Sequence, residues 1–222
     1  MTILGIDSSD DFISVGVYSS SRIICSRSSG LESKKNILHR FMTETLFESG
    51  FSIENIDGIS VAIGPGSFTG LRVGLAAAKG ICWARRLPLA GVSSIEALAA
   101  CATTVSGEFL VVKDAKKNEY YYGGFVRSAD NLTRILADNI GTADDIARLV
   151  DQKYDIVGPG IPALKKKERF AIDLVDDGYE REAVGGQVAR IGFELIAAKK
   201  TIDPITAAPV YIRTPAYVRS EA

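Results

Sequence analysis

The run Gly64-Pro65-Gly66-Ser67-Phe68-Thr69-Gly70-Leu71-Arg72-Val73-Gly74 concentrates the residues that most suggest chemistry. It follows an apolar stretch and opens a helical pattern. Backbone N–H groups at a helix N-terminus can hold a phosphate. Two phosphate fingerprints nevertheless fail: a dinucleotide loop needs glycine where Thr69 stands, and a P-loop needs Gly-Lys-Ser/Thr where the chain has Gly70-Leu71-Arg72. The plainer reading is that the glycines let the backbone turn and Thr69 caps the helix. Asp7 and Asp114 are the acidic candidates. Asp7 precedes Ser8-Ser9-Asp10-Asp11, and two further acids repel a phosphate unless a metal intervenes. Asp114 stands near Lys116 and Lys117, a friendlier setting, although Lys-Lys-Asn in a tight turn is ordinarily solvated. An independent nucleotide site reads as degraded or absent.

His39 is the only histidine, so no two-histidine metal motif can form within the chain. A Ser-His-Asp mechanism would have to use this residue. It lies among Leu38, Arg40 and Phe41, at the edge of an apolar helix face. Cys25, Cys82 and Cys101 are widely spaced, and their odd count argues against a disulfide framework. A reducing cytoplasm is the expected home. With 26 basic and 27 acidic residues the net charge is −1, which makes the chain a poor candidate for gripping RNA alone. The N-terminus reaches Asp7 too soon for a signal peptide. Arg72 and Lys79 interrupt the apolar stretch 71–84, so no membrane span is expected.

These residues need positioning elements. Alternation and apolar runs predict strands at 2–7, 12–18, 22–27 and 58–63, with helices at 35–49 and 69–86. The second half restarts with strands at 108–113, 119–126 and 133–140. A helix near 142–151, a strand at 154–157 and a helix at 185–199 follow. Asp7 and Asp114 each close a first strand, and Gly64-Pro65-Gly66 and Gly158-Pro159-Gly160 each follow a later one. Shared element order and shared markers point to duplication, although Gly-Pro-Gly is also simply good turn chemistry. Two similar α/β halves sharing a cleft describe the actin-like architecture (actin, Hsp70, sugar kinases, ribonuclease H-like). The expected halves are 1–104 and 105–222, with helices crossing between them.

The two N-terminal helices carry more apolar surface than one sheet needs. On the first, Ile37, Leu38, Phe41, Met42 and Leu46 cover about half the circumference at the 3.6-residue helical period. On the second, Arg72, Lys79 and Arg86 form one thin polar line, and Gly70, Gly74, Ala77, Ala78, Ile81 and Ala84 form a small-residue face. Either both helices are buried within the chain, or they meet another molecule over ~800 Å² per partner.

The segment 64–74 closely resembles the signature of the TsaB (YeaZ-like) family. Ile3-Leu4-Gly5-Ile6-Asp7-Ser8-Ser9 and Val92-Ser93-Ser94-Ile95-Glu96-Ala97-Leu98 are similar to other family segments. Asp114-Ala115-Lys116-Lys117-Asn118-Glu119-Tyr120-Tyr121 resembles the family's D-A-R-x-x-E-V-Y, with Lys116 in place of arginine. The tail Ala208-Pro209-Val210-Tyr211-Ile212-Arg213 resembles its closing P-x-Y-x-R. The resemblance covers essentially the whole chain.

It implies an actin-like, non-catalytic subunit of tRNA N6-threonylcarbamoyladenosine synthesis, with no catalytic, cofactor or metal residues of its own. The partners it implies are a catalytic TsaD-type subunit, which carries the metal, a TsaE-type ATPase in a larger assembly, and a second copy of the chain; tRNA is met only indirectly. Ile37, Leu38, Phe41, Met42, Leu46, Gly70, Arg72, Gly74, Leu75, Ala78 and Lys79 are the expected pairing residues. Arg72 and Lys79 would add rim charge pairs worth ~0–1 kcal/mol each. Gly74→Leu or Phe41→Asp is expected to weaken pairing without unfolding the chain. Three rival readings are a kinase or ATPase of the same fold, a metallopeptidase, and an RNA-binding module using Lys165-Lys166-Lys167 with Arg169.

Overall fold

Strands β1 (Ile3–Asp7), β2 (Ser14–Ser19) and β4 (Gly58–Gly64) put branched apolar side chains on one face and, apart from Ile3 and Tyr18, mostly small ones on the other. Successive strand residues point to opposite sides, so Leu4, Ile6, Val15, Val17, Ile59 and Val61 share a face and a core. Gly5, Gly16 and Ser60 share the opposite face. Together with β3 (Arg22–Ser28) and β5 (Leu89–Ser93) these strands form a sheet of order β3-β2-β1-β4-β5. The first three strands are antiparallel neighbours, whereas β4 and β5 join in parallel. The structure, a computed structural model, describes residues 1–29, 37–129, 131–150, 154–166 and 181–213.

Helices α1 (Leu38–Glu48) and α2 (Phe68–Arg85) cover the large-residue face. The small-residue face receives α6 (Val184–Ala197), which lies across all five strands. Close approach is required there: a Cβ on Gly16 would overlap the backbone of Gly185 and Gly186. Val184 and Val188 are fully buried, each worth ~1.5–3 kcal/mol relative to exposure. Helix α3 (Ser94–Cys101) packs beside α6.

The second sheet repeats the plan. Strands β6 (Gly107–Asp114), β7 (Glu119–Ser128) and β8 (Asn131–Thr142) form an antiparallel meander, and β9 (Asp155–Val157) joins β6 in parallel. Its order, β8-β7-β6-β9, matches β3-β2-β1-β4 of the first sheet. Helices α4 (Ala143–Val150) and α5 (Ile161–Leu164) cover one face in a core that includes Leu110, Val112, Tyr120 and Ile156. Phe109, Val111 and Phe125 on the other face pack with α3 and α6. The duplicated actin-like plan is therefore present. A cut at 104/105 separates the two sheets, yet leaves α6 apart from the sheet that it covers.

The expected strands agree with the observed ones to within about two residues. Residues 35 and 36 of the expected first helix lie outside the described residues. The α2 cap is Ser67, not Thr69: the Ser67 hydroxyl accepts the Gly70 N–H at 3.3 Å. Among the strands and α-helices, β5, α3 and α5 have no counterpart in the expected elements. At its far end α2 stops where Arg86 turns left-handed (φ 55°) and the Leu87 N–H closes on the Cys82 carbonyl at 3.1 Å.

Candidate functional site

A cleft of about 750 Å³ opens between the two halves. Its walls come from the β1–β2 loop, the start of α2, the β6–β7 turn, the start of α5, and the final described segment. Asp7, at the end of β1, is buried and accepts the Ser9 N–H at 2.7 Å. Burial pushes its carboxyl above the usual carboxylate range, against the opposing pull of the Lys113 charge.

Lys113 is the residue that sequence reasoning missed. It is only 3% exposed. Its Nζ donates to the Ser9 hydroxyl at 2.8 Å and faces the Pro65 carbonyl at 3.3 Å, the Ser9 carbonyl at 3.4 Å and the Asp10 carboxylate at 3.6 Å. A buried ammonium ringed by oxygens therefore ties β6 of the second half to two loops of the first. The signal was available: Phe109, Val111 and Lys113 alternate on one face of a buried strand.

The turn after β6 is built differently. Lys116, Lys117 and Asn118 all take left-handed conformations (φ 62°, 56° and 61°). Lys116 reaches Asp114 at 3.0 Å and Asp11 at 3.8 Å. The hydrogen bond to Asp114, helped by the nearby Asp11 and Asp10 charges, raises the Lys116 pKa. The acidic loop that seemed hostile to phosphate is thus met by two lysines from the opposite half.

Residues 202–213 run back across both halves as a strap. Ile202 bridges to Leu89, and the Val210 N–H donates to the Ile63 carbonyl at 2.7 Å. Lys79 donates to the Ile205 and Ala207 carbonyls, both at 2.9 Å. Tyr211 stacks on Phe68 with centroids 5.0 Å apart, and Arg72 lies 3.7 Å over the same Phe68 ring while donating to the Tyr211 hydroxyl at 3.1 Å. Arg213 completes the crossing: it donates to the Ala115 carbonyl at 3.0 Å and pairs with Glu119. A further tie joins α3 to β8, where Arg134 contacts Ser93, Glu96 and Asp138.

The expected pairing residues divide by face. Leu38, Phe41, Met42 and Leu46 of α1 are buried against the chain's own first sheet, as are Gly70, Gly74, Leu75 and Ala78 of α2. A Cβ at Gly74 would overlap the Ser8 hydroxyl. Gly74→Leu and Phe41→Asp therefore disturb the core, contrary to the expectation that they spare the fold. Arg72 and Lys79 are engaged by the strap, and Ile37 is half-buried. The outward residues are others. Val73, Ala76, Gly80 and Trp83 recur at helical spacing along the exposed side of α2, with Trp83 69% exposed, and Phe47 of α1 is 84% exposed. Nothing lies within 4 Å of where a Gly80 Cβ would stand.

His39 is exposed on α1, away from the cleft. Cys82 and Cys101 are buried, and burial pushes the Cys82 thiol up to about 12. Among the described residues, no group of three or more His, Cys, Asp or Glu side chains is arranged to hold a metal ion. No helix among them is long and apolar enough to cross a membrane. Lys167 and Arg169 of the basic run lie outside the described residues; Lys165 and Lys166 are exposed.

Residues 32–203 match the family model described as TsaD: tRNA N6-adenosine threonylcarbamoyltransferase. The chain is 31% identical to the tRNA threonylcarbamoyladenosine biosynthesis protein TsaB of Bacillus subtilis, over 81% of this chain and 79% of the relative. It is 26% identical to the protein of the same name from Escherichia coli, over 96% and 95% of the two chains. The solved structure of YeaZ from Pseudomonas aeruginosa superposes with a TM-score of 0.78 at 20% identity, covering 95% of this chain and 99% of that one.

Proposed function

The chain belongs to the TsaB/YeaZ family, and from that premise we propose that it serves tRNA threonylcarbamoyladenosine synthesis as a non-catalytic subunit that docks on a TsaD-type transferase. The outward face of α2 carries this reading. Glycine in an exposed helix interior costs ~1 kcal/mol relative to alanine. Gly70 and Gly74 have an internal reason to lack a side chain, because each abuts Ser8. Gly80 has none among the described residues. A second backbone packing closely on α2 supplies one, with Trp83 and Val73 as the apolar anchors on the same helix face. Exposed aromatics of this kind dominate binding at interface centres.

Likeness to the transferase's own family model supports a pairing of like with like, since two related folds present related helices. A second copy of this chain would use the same face, so self-association competes with the productive pair. A TsaE-type ATPase and tRNA join through the larger assembly rather than through this face. The Lys113 bridge and the strap tie the two halves together, which suits a subunit that stabilises its partner's geometry.

Light scattering during gel filtration tests the reading, with the chain alone and mixed with the TsaD-type subunit of the same organism. A one-to-one complex is expected, formed at the expense of any homodimer and raising threonylcarbamoyl transfer to tRNA. Trp83→Asp should abolish that complex while leaving circular dichroism and Tm unchanged. Absence of a complex at micromolar concentrations, or full pairing by Trp83→Asp, overturns it.

A further inference from the structure

We propose that the strap is the second limb of the docking surface, so that the transferase subunit is gripped by two distant stretches of chain at once; the inference rests on the docking reading above. The outward side of α2 is too small to serve alone. Its large side chains are Val73 and Trp83, with the small Ala76 and Gly80 between them. A buried aromatic side chain contributes ~150–250 Å², whereas a standard interface takes ~800 Å² from each partner. More apolar surface has to come from a flank of the helix.

The flank beyond Arg72 and Lys79 supplies it. Each of these cations precedes an outward residue by one helical turn, Arg72 before Ala76 and Lys79 before Trp83. By sequence they form a polar border, but in the fold both lean into the strap. The Lys79 ammonium donates to the Ile205 and Ala207 carbonyls, and the Arg72 guanidinium donates to the Tyr211 hydroxyl above the Phe68 ring. Beyond this seam the apolar surface resumes, with Ile205 63% and Val210 51% exposed. The spacings match. Val73 and Trp83 lie ~15 Å apart along the helix axis, and the chain from Ile205 to Val210 spans at most ~18 Å. Lys79 ties Ile205 to the Trp83 end, and Arg72 ties Tyr211, the neighbour of Val210, to the Val73 end. Two short apolar rows thus run side by side, with the two cations as rungs between them.

The strap row is held in place. The Asp203 carboxylate accepts the Ile205 N–H at 2.9 Å and the Thr206 hydroxyl at 3.1 Å, and its carbonyl accepts the Ala207 N–H at 2.9 Å. The Val210 N–H is bound to Ile63 at 2.7 Å. Little backbone freedom remains to be lost on binding. The same contacts define the partner's chemistry. Because the chain's own oxygens and rings already satisfy Arg72 and Lys79, the facing surface is apolar and needs no acidic residues to match them. The rim charge pairs expected at these two positions are replaced by an internal seam.

Titration of the full chain with the TsaD-type subunit of the same organism tests this. Ile205→Asp, altered at an exposed side chain, should weaken pairing about tenfold or more with Tm unchanged, whereas Ile205→Leu should pair normally. Ile135→Asp, at an exposed apolar position on the other sheet, should also pair normally. In the unaltered chain, amide exchange at 205–210 should slow in the complex. The Kd should change less than about threefold between roughly 50 and 500 mM salt. If Trp83→Asp abolishes pairing while Ile205→Asp pairs like the unaltered chain and exchange at 205–210 is unchanged, the strap proposal falls and docking on α2 stands. If both variants pair fully, the docking reading falls and this proposal with it. Weakening of more than about tenfold over that salt range would mean that the cations face the partner, and would overturn the seam.

Discussion

The same entry motif leads to two different helices. In the first half Gly64-Pro65-Gly66 follows β4 and opens α2, which runs for 18 residues. In the second half Gly158-Pro159-Gly160 follows β9 and opens α5, which stops after four. Both helix starts line the cleft. A single turn is therefore enough to finish a cleft wall and cover a short strand. The further length of α2 serves two other surfaces: an inner one, tight against Ser8 and β4, and an outer one that none of the described residues covers. The two halves share a plan but not a load, and the extra helix marks the half that faces outward.

Breaking the tie between the halves should have the largest effect. Lys113→Ala removes the cation facing the buried Asp7 and the partly exposed Asp10, and loss of one partner of a buried pair costs up to ~3–5 kcal/mol. Chemical denaturation should show that loss, and a stable variant would mean the halves do not depend on the bridge. Next comes the inner surface of α2. Gly74→Leu, which must displace Ser8, should lower stability by ~1–3 kcal/mol. The outer surface should respond with the opposite sign. Gly80→Ala should raise the isolated chain's stability by ~1 kcal/mol and weaken pairing with the transferase subunit. Equal responses at Gly74 and Gly80 would erase the distinction between the two faces.

The smallest effect compares the two hairpin aspartates, Asp7 buried and Asp114 partly exposed beside Lys116. The folded chain holds a proton on Asp7 more tightly than the unfolded chain does. Its contribution to stability is therefore complete below the ordinary carboxylate value of 3.8 and is lost as pH rises through the raised value. Asp7→Asn should flatten that part of the stability–pH curve and raise Tm at neutral pH. An unchanged curve would mean that Lys113 fully offsets the burial.

Most of the fold was legible because its strands alternate cleanly and its markers recur. Asp7 with Asp114, and the two Gly-Pro-Gly turns, announced the duplication. The missed elements were short or masked by composition. In Leu89–Ser93 a proline precedes and a glycine interrupts the run, and α3 is so uniformly small and apolar that it carries no stripe. The orientation of α2 was not legible for a related reason. Alanine, glycine and valine occur all round it, so periodicity could not say which small residues face the sheet. On α1 the apolar arc is real, but the first sheet absorbs nearly all of it, leaving Phe47 outside. Lys113 escaped notice because a lysine near a strand end reads as solvated, and only its alternation with Phe109 and Val111 says otherwise.

The position of α6 also constrains how the chain is made. The last strand of the first sheet leaves the ribosome at Ser93, but the helix that covers one whole face of that sheet does not begin until Val184. At ~5–20 residues per second, that face stays bare for several seconds of synthesis. The N-terminal half must therefore wait for the C-terminal half before it can close. Until α6 emerges, the glycine- and serine-rich face of that sheet stays uncovered by the element that packs on it.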